Sequence, residues 1–112
     1  MMNRTGEVLR KRELERSYFC IYCITAKLQI DSDKGYKDGR KLYTFWGCTL
    51  DGKKKYISCI LETEVEKTSE WYNFFQELKG RGMEHIVFGL LPRKNEIRDA
   101  IKLSYPKIEI FT

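Results

Sequence analysis

The sequence lacks most of what announces a chemistry. His85 is its only histidine, so no second imidazole exists to complete a zinc ligand set, and no serine or threonine has a histidine close by in sequence to serve as its base. A Gly-rich phosphate cradle and a G-x-S-x-G elbow are both missing. No apolar run reaches the ~18 residues of a membrane span. The start, MMNRTGEVLRKRELER, is basic and polar and unlike a signal peptide. These absences argue against a membrane helix and against the common nucleophile-and-base hydrolases. They lead us to expect a cytoplasmic protein whose cysteines, Cys20, Cys23, Cys48 and Cys59, stay reduced.

What is present suits one small domain. A chain of 112 residues buries roughly two-thirds of its unfolded surface, so it needs neither disulfide nor metal to hold it together. Charge is plentiful and leans positive, with a formal net +5 and Lys and Arg clustering at 10–12, 34–41, 53–55 and 93–94. That balance is compatible with nucleic acid, although lysines on turns more often simply solvate a surface. Repeats and low-complexity tracts are absent.

Residues 1–17 alternate charges around Val8, Leu9 and Leu14 and read as a basic arm or short helix with no core role; the domain proper is expected over 18–112. From Tyr18 the pattern has period two. Cys20, Tyr22, Ile24, Ala26, Leu28 and Ile30 make one face of a strand, and Phe19, Ile21, Cys23, Thr25, Lys27 and Gln29 make the other. DSDKGYKDG (31–39) is a turn-rich connection. RKLYTFWGCTL and KKKYISCIL flank Asp51-Gly52, which predicts a hairpin with a two-residue turn.

The period then becomes helical. In TSEWYNFFQELKGRG, Trp71, Phe74, Phe75 and Leu78 fall at i, i+3, i+4 and i+7, with Thr68 or Ser69 as cap and Gly80 or Gly82 as stop. HIVFGLL (85–91) reads as a buried strand. PRKNEIRDAIKL (92–103) reads as a helix opened by Pro92, with Ile97, Ala100 and Ile101 on one stripe. KIEIFT (107–112) reads as a last strand. The predicted fold is α/β: three antiparallel strands, then helix, strand, helix and strand, giving a mixed five-strand sheet with helices packed on it.

Two local patterns resemble sites and fail on geometry. In FCIYCIT, Cys20 and Cys23 have C-x-x-C spacing, but residues three apart on a strand point to opposite faces and cannot pinch one metal. No helix starts there to lower a thiol pKa, so the cysteines read as buried strand residues. DSDKGYKD offers Asp31, Asp33 and Asp38 without the closing bidentate Glu of a calcium loop, and reads as a solvated turn.

Four longer stretches, in order over about ninety residues, resemble the catalytic core of Mutator-type insertion-sequence transposases. They are ITAKLQI, KLYTFWGCTLDGKKKYISCIL, SEWYNFFQELKGRGMEHI and EIRDAIKLSYPKIEIF. The resemblance implies an RNase H-like fold of the DDE superfamily and DNA strand transfer with two magnesium or manganese ions. In such a site two aspartates and a glutamate hold the metals. Carried over by position, the first aspartate falls at Tyr22, five residues before Lys27, and the second at Pro92. The glutamate belongs to a helix beyond the final strand, past Thr112. A neutral phenol is a poor ligand for a hard cation, and proline has no side-chain ligand at all. Glu62, Glu64, Glu96 and Asp99 have no evident reason to converge in their place.

The resemblance therefore implies a truncated, degenerate and catalytically inactive member, with no catalytic residues, no metal site and no cofactor. Two further readings stay open: a non-catalytic nucleic-acid-binding module and a protein-interaction module. For the first, the contact candidates are Lys34, Lys37, Arg40, Lys41, Lys53, Lys54, Lys55, Arg93 and Lys94, read as one basic rim that binds DNA weakly and without sequence preference. For the second, the edge strands offer self-association by sheet extension.

Overall fold

A computed structural model describes residues 14–27 and 40–112. Five strands and two helices follow one another as β1 (Ser17–Lys27), β2 (Lys41–Thr49), β3 (Lys54–Leu61), α1 (Thr68–Gly80), β4 (His85–Leu90), α2 (Asn95–Ser104) and β5 (Glu109–Phe111), with a short 3-10 turn at Glu62–Glu64. The sheet order is β3-β2-β1-β4-β5. β1 is antiparallel to β2, and β2 to β3; β4 runs parallel to β1, and β5 to β4. This is the mixed five-strand α/β architecture expected from the periodicity. Leu28, Gln29, Ile30, the connection at 31–39 and the arm at 1–13 lie outside the described residues.

The helix stripes were legible because each supplies one wall of the core. Trp71, Phe74, Phe75 and Leu78 of α1, and Ile97, Ala100 and Ile101 of α2, join Tyr18, Ile21, Tyr43, Phe45 and Ile57 in one buried cluster. Trp71 meets Tyr43 edge-on at 5.1 Å and stacks on Phe75 at 5.9 Å. The helices are tied to each other by Gln76 Nε2, which donates to Ser104 Oγ at 3.1 Å. Gly47 gives the sheet its close approach to Tyr18: a Cβ there would stand 2.5 Å from the Tyr18 ring. Both helices cover the same sheet face. On the other face Ile24, Leu90 and Phe111 remain about half exposed, and no described helix covers them.

Local details depart from the sequence expectations for identifiable reasons. Leu14, assigned no core role, is buried and donates its N–H to Arg81 O at 2.7 Å, so the core begins before residue 18. A bulge at Phe19 breaks strict alternation on β1. It puts Tyr18 on the helix side with Ile21 and leaves Phe19 half exposed. The β2–β3 hairpin has a longer loop than the predicted two residues. Gly52 N–H donates to Thr49 O at 3.0 Å and Thr49 N–H to Lys53 O at 2.9 Å. Only Gly52 takes positive φ, at 88°, which is a three-residue loop closed by a glycine bulge.

The helix starts also differ. α1 is capped from Lys67, whose N–H donates to Glu70 Oε1 at 3.1 Å, and neither Thr68 nor Ser69 is the cap. α2 begins at Asn95, so Pro92 stands outside it in the preceding turn. The cysteines are half-buried and not fully enclosed.

Candidate nucleic-acid interface

The register decides which chain segments meet at each end of the sheet. Lys27 at the end of β1 faces Lys41 at the start of β2. β4 runs the same way as β1 and sets Leu90 beside Tyr22. The turn after β4, with Pro92, Arg93 and Lys94, therefore opens at the same end as Arg40 and Lys41. Lys94 Nζ lies 5.8 Å from the centroid of Tyr43, two residues into β2 from Lys41, which ties that turn to the β2 strand. A cleft of about 250 Å³ opens here, lined by Pro92, Arg93, Lys94, Asn95, Arg98 and Ile110.

Lys53, Lys54 and Lys55 sit elsewhere. Lys54 faces Cys48, which faces Cys20 near the start of β1, so the hairpin turn marks the opposite end of the sheet. The span of β2 puts the two groups roughly 25–30 Å apart. At this far end Lys54 Nζ rests 4.6 Å from the Trp46 ring centroid, and Lys53 Nζ lies 3.7 Å from Asp51 Oδ2. The Thr49 hydroxyl bonded to Asp51, with Lys53 beside it, holds that carboxyl below the usual range. The nine candidates thus do not form a single rim. Arg40, Lys41, Arg93 and Lys94 lie at one end of the sheet, Lys53, Lys54 and Lys55 form a separate group at the other, and Lys34 and Lys37 lie outside the described residues.

Sequence reading missed two members of the first group, Lys27 and Arg98. Lys27 was counted only as the wet end of a strand, and its pairing with Lys41 depends on register. Arg98 was detectable, since it stands four residues after Lys94 and returns to the same side on a helix.

The positions expected to match metal-binding aspartates both stand toward this end of the sheet. Tyr22 is half-buried between Leu90 and Trp46 in its cross-sheet row, and Pro92 follows Leu90 by two residues. Magnesium or manganese needs oxygen ligands converging on one point. A phenol and a ring without a ligand atom do not meet that need, and no group of three or more His, Cys, Asp or Glu gathers among the described residues. Tyr22 and Pro92 do not fit such a metal pair.

A mixed five-strand sheet with both helices on one face and a cationic cleft at the strand ends defines the class of α/β domain. The family follows from comparison: a family model described as "Transposase, Mutator family" matches residues 3–111, and the chain belongs to that family. Curated protein sequences give no significant match. No described helix is long and apolar enough to cross a membrane.

Proposed function

We propose that this Mutator-family chain is a transposase-like domain of RNase H-like fold that contacts nucleic-acid phosphates without catalysing strand transfer. The observation that carries the reading is the placement of Tyr22 and Pro92 toward one end of the sheet, set by the parallel pairing of Tyr22 with Leu90. Neither residue can grip a cation, while Lys27, Arg40, Lys41, Arg93, Lys94 and Arg98 bring positive charge to the same end of the sheet. Contact of this kind is electrostatic, weak and indifferent to sequence, since both described helices are packed against the sheet.

Fluorescence anisotropy with duplex and single-stranded DNA at two salt concentrations tests the proposal, with and without manganese. Binding should fall roughly a hundredfold or more between 50 and 200 mM salt if about four phosphates are neutralised, and manganese should produce no strand cleavage. Absence of binding at the lower salt, or metal-dependent cleavage, would falsify it.

Self-association through the sheet edges is the second reading, and the edges give it little support. β5 has three residues. β3 carries lysines, and its pairing with β2 is interrupted by a bulge where Arg81 Nη1 donates to Ile57 O at 3.2 Å; such features blunt an edge. A sedimentation coefficient that rises with protein concentration would restore this reading.

A further inference from the structure

The C-x-x-C spacing draws attention to Cys20 and Cys23, but the sheet pairs Cys20 with a different thiol. Cys20 and Cys48 are direct partners across β1 and β2. Cys20 precedes Tyr22 by two residues and Cys48 follows Trp46 by two, and Tyr22 and Trp46 are themselves partners. Both cysteines therefore stand on the sheet face that no described helix covers, in one cross-sheet row running from Phe88 through Cys20 and Cys48 to Lys54.

Directly opposed residues of an antiparallel pair have Cα atoms about 4.5–5.5 Å apart, inside the roughly 4.4–6.8 Å that a disulfide spans. Neither sulfur is committed to the core. Cys20 Sγ donates to the carbonyl of Ile21 at 3.5 Å and has the Leu90 backbone as a second hydrogen-bond neighbour, and Cys48 Sγ donates to the carbonyl of Thr49 at 3.7 Å. Each residue is half-buried, so a small reagent can reach it. Burial, and after it the proximity of Cys48, hold the Cys20 thiol above its ordinary pKa, in keeping with two neighbouring sulfurs.

The other cysteines have no such partner. Cys23 lies against the core on the helix face. Cys59 faces Thr44, four residues along β2 from Cys48 and therefore roughly 13 Å away.

We infer that Cys20 and Cys48 form a reversible cross-strand dithiol site that exchanges with small-molecule disulfides. One protein thiolate attacks a sulfur of the reagent RSSR, forming a mixed disulfide and releasing RS⁻. The second protein thiolate then attacks the protein-bound sulfur, closing the Cys20–Cys48 bond and releasing the second RS⁻. Two protein thiols lose two electrons, the reagent gains them, and the two thiol protons end on the two RSH molecules. The bond joins β1 to β2 at the hairpin-turn end of the sheet, away from the cationic cleft, and does not depend on the nucleic-acid reading.

The test is disulfide mapping of the whole chain after exposure to excess oxidised glutathione, folded and in urea. The folded protein should become lighter by two hydrogens, with Cys20 linked to Cys48 and Cys23 and Cys59 free; reductant should reverse the change. In urea the short Cys20–Cys23 loop should dominate instead, since an unfolded chain favours it by roughly tenfold or more. Cys48→Ser should leave only a glutathione adduct at Cys20. A folded protein that yields chiefly Cys20–Cys23, links between molecules, separate adducts on Cys20 and Cys48, or no product overturns the inference, and the wild-type map decides this even if a variant fails to fold.

Discussion

Among the described residues, Cys23 and Tyr105 are the groups that burial holds furthest above their ordinary pKa. Loss of water around the Cys23 sulfur pushes its pKa up to about 12 from 9.0, only partly offset by hydrogen bonds from Thr25 and the Thr44 backbone. Tyr105 is shifted in the same direction, first by burial and then by Tyr18, while its hydroxyl donates to Met83 O at 2.7 Å. A raised pKa means that the folded state holds its proton more tightly than the unfolded state does. The stabilisation is therefore complete below the unfolded value and is lost as pH rises through the folded one. Urea unfolding midpoints should be level up to about pH 9 and decline from there toward pH 12, the interval set by Cys23. Cys23→Ala should show a shallower decline over that interval than the parent. An equal slope in the two proteins would mean that Cys23 is already hydrated in the fold.

At the scale of elements, strands and helices were legible wherever one face of a repeating pattern meets the core. The α1 stripe is such a case: four aromatic or aliphatic residues at helical spacing have no alternative placement that buries them all. The end of α1 was legible too, because glycine is the residue that closes a helix in the left-handed region. Gly82 has φ 109°, with Gly82 N–H donating to Lys79 O and Met83 N–H to Leu78 O, the pairing of a Schellman motif. What could not be read was the partner of that turn. Leu14 sits alone in a charged segment, and nothing periodic marks it, yet its carbonyl lies 3.0 Å from where a Gly82 Cβ would stand. Gly82→Ala should consequently cost about 1–3 kcal/mol. Gly80→Ala, at a helical position with open space around it, should be neutral or stabilising by up to about 1 kcal/mol. Chemical denaturation of both variants checks the pair; equal effects would remove the backbone argument.

For the molecule as a whole, the limit of sequence reading was the distribution of charge. Lysines and arginines could be counted, but their grouping depends on β2 reversing direction and β4 restoring it, a property of topology that no local pattern encodes. Thus Lys53, Lys54 and Lys55 looked continuous with Arg40 and Lys41 and lie at the far end of the sheet. Pro92 lines the cationic cleft, and Tyr22 stands toward the same end of the sheet, for the same topological reason. If phosphates bind at that cleft, the two ends must differ in their effect on the salt response. Arg93→Ala/Lys94→Ala/Arg98→Ala should lower the magnitude of the slope of log K against log salt by about 3 for duplex DNA, one increment per lost phosphate contact. Lys53→Ala/Lys54→Ala/Lys55→Ala removes the same formal charge from the far end, so general long-range attraction changes equally and the slope should move by less than about 1. Two variants with matching losses would mean that only net charge draws the nucleic acid, and that the cleft beside Pro92 has no share in holding it.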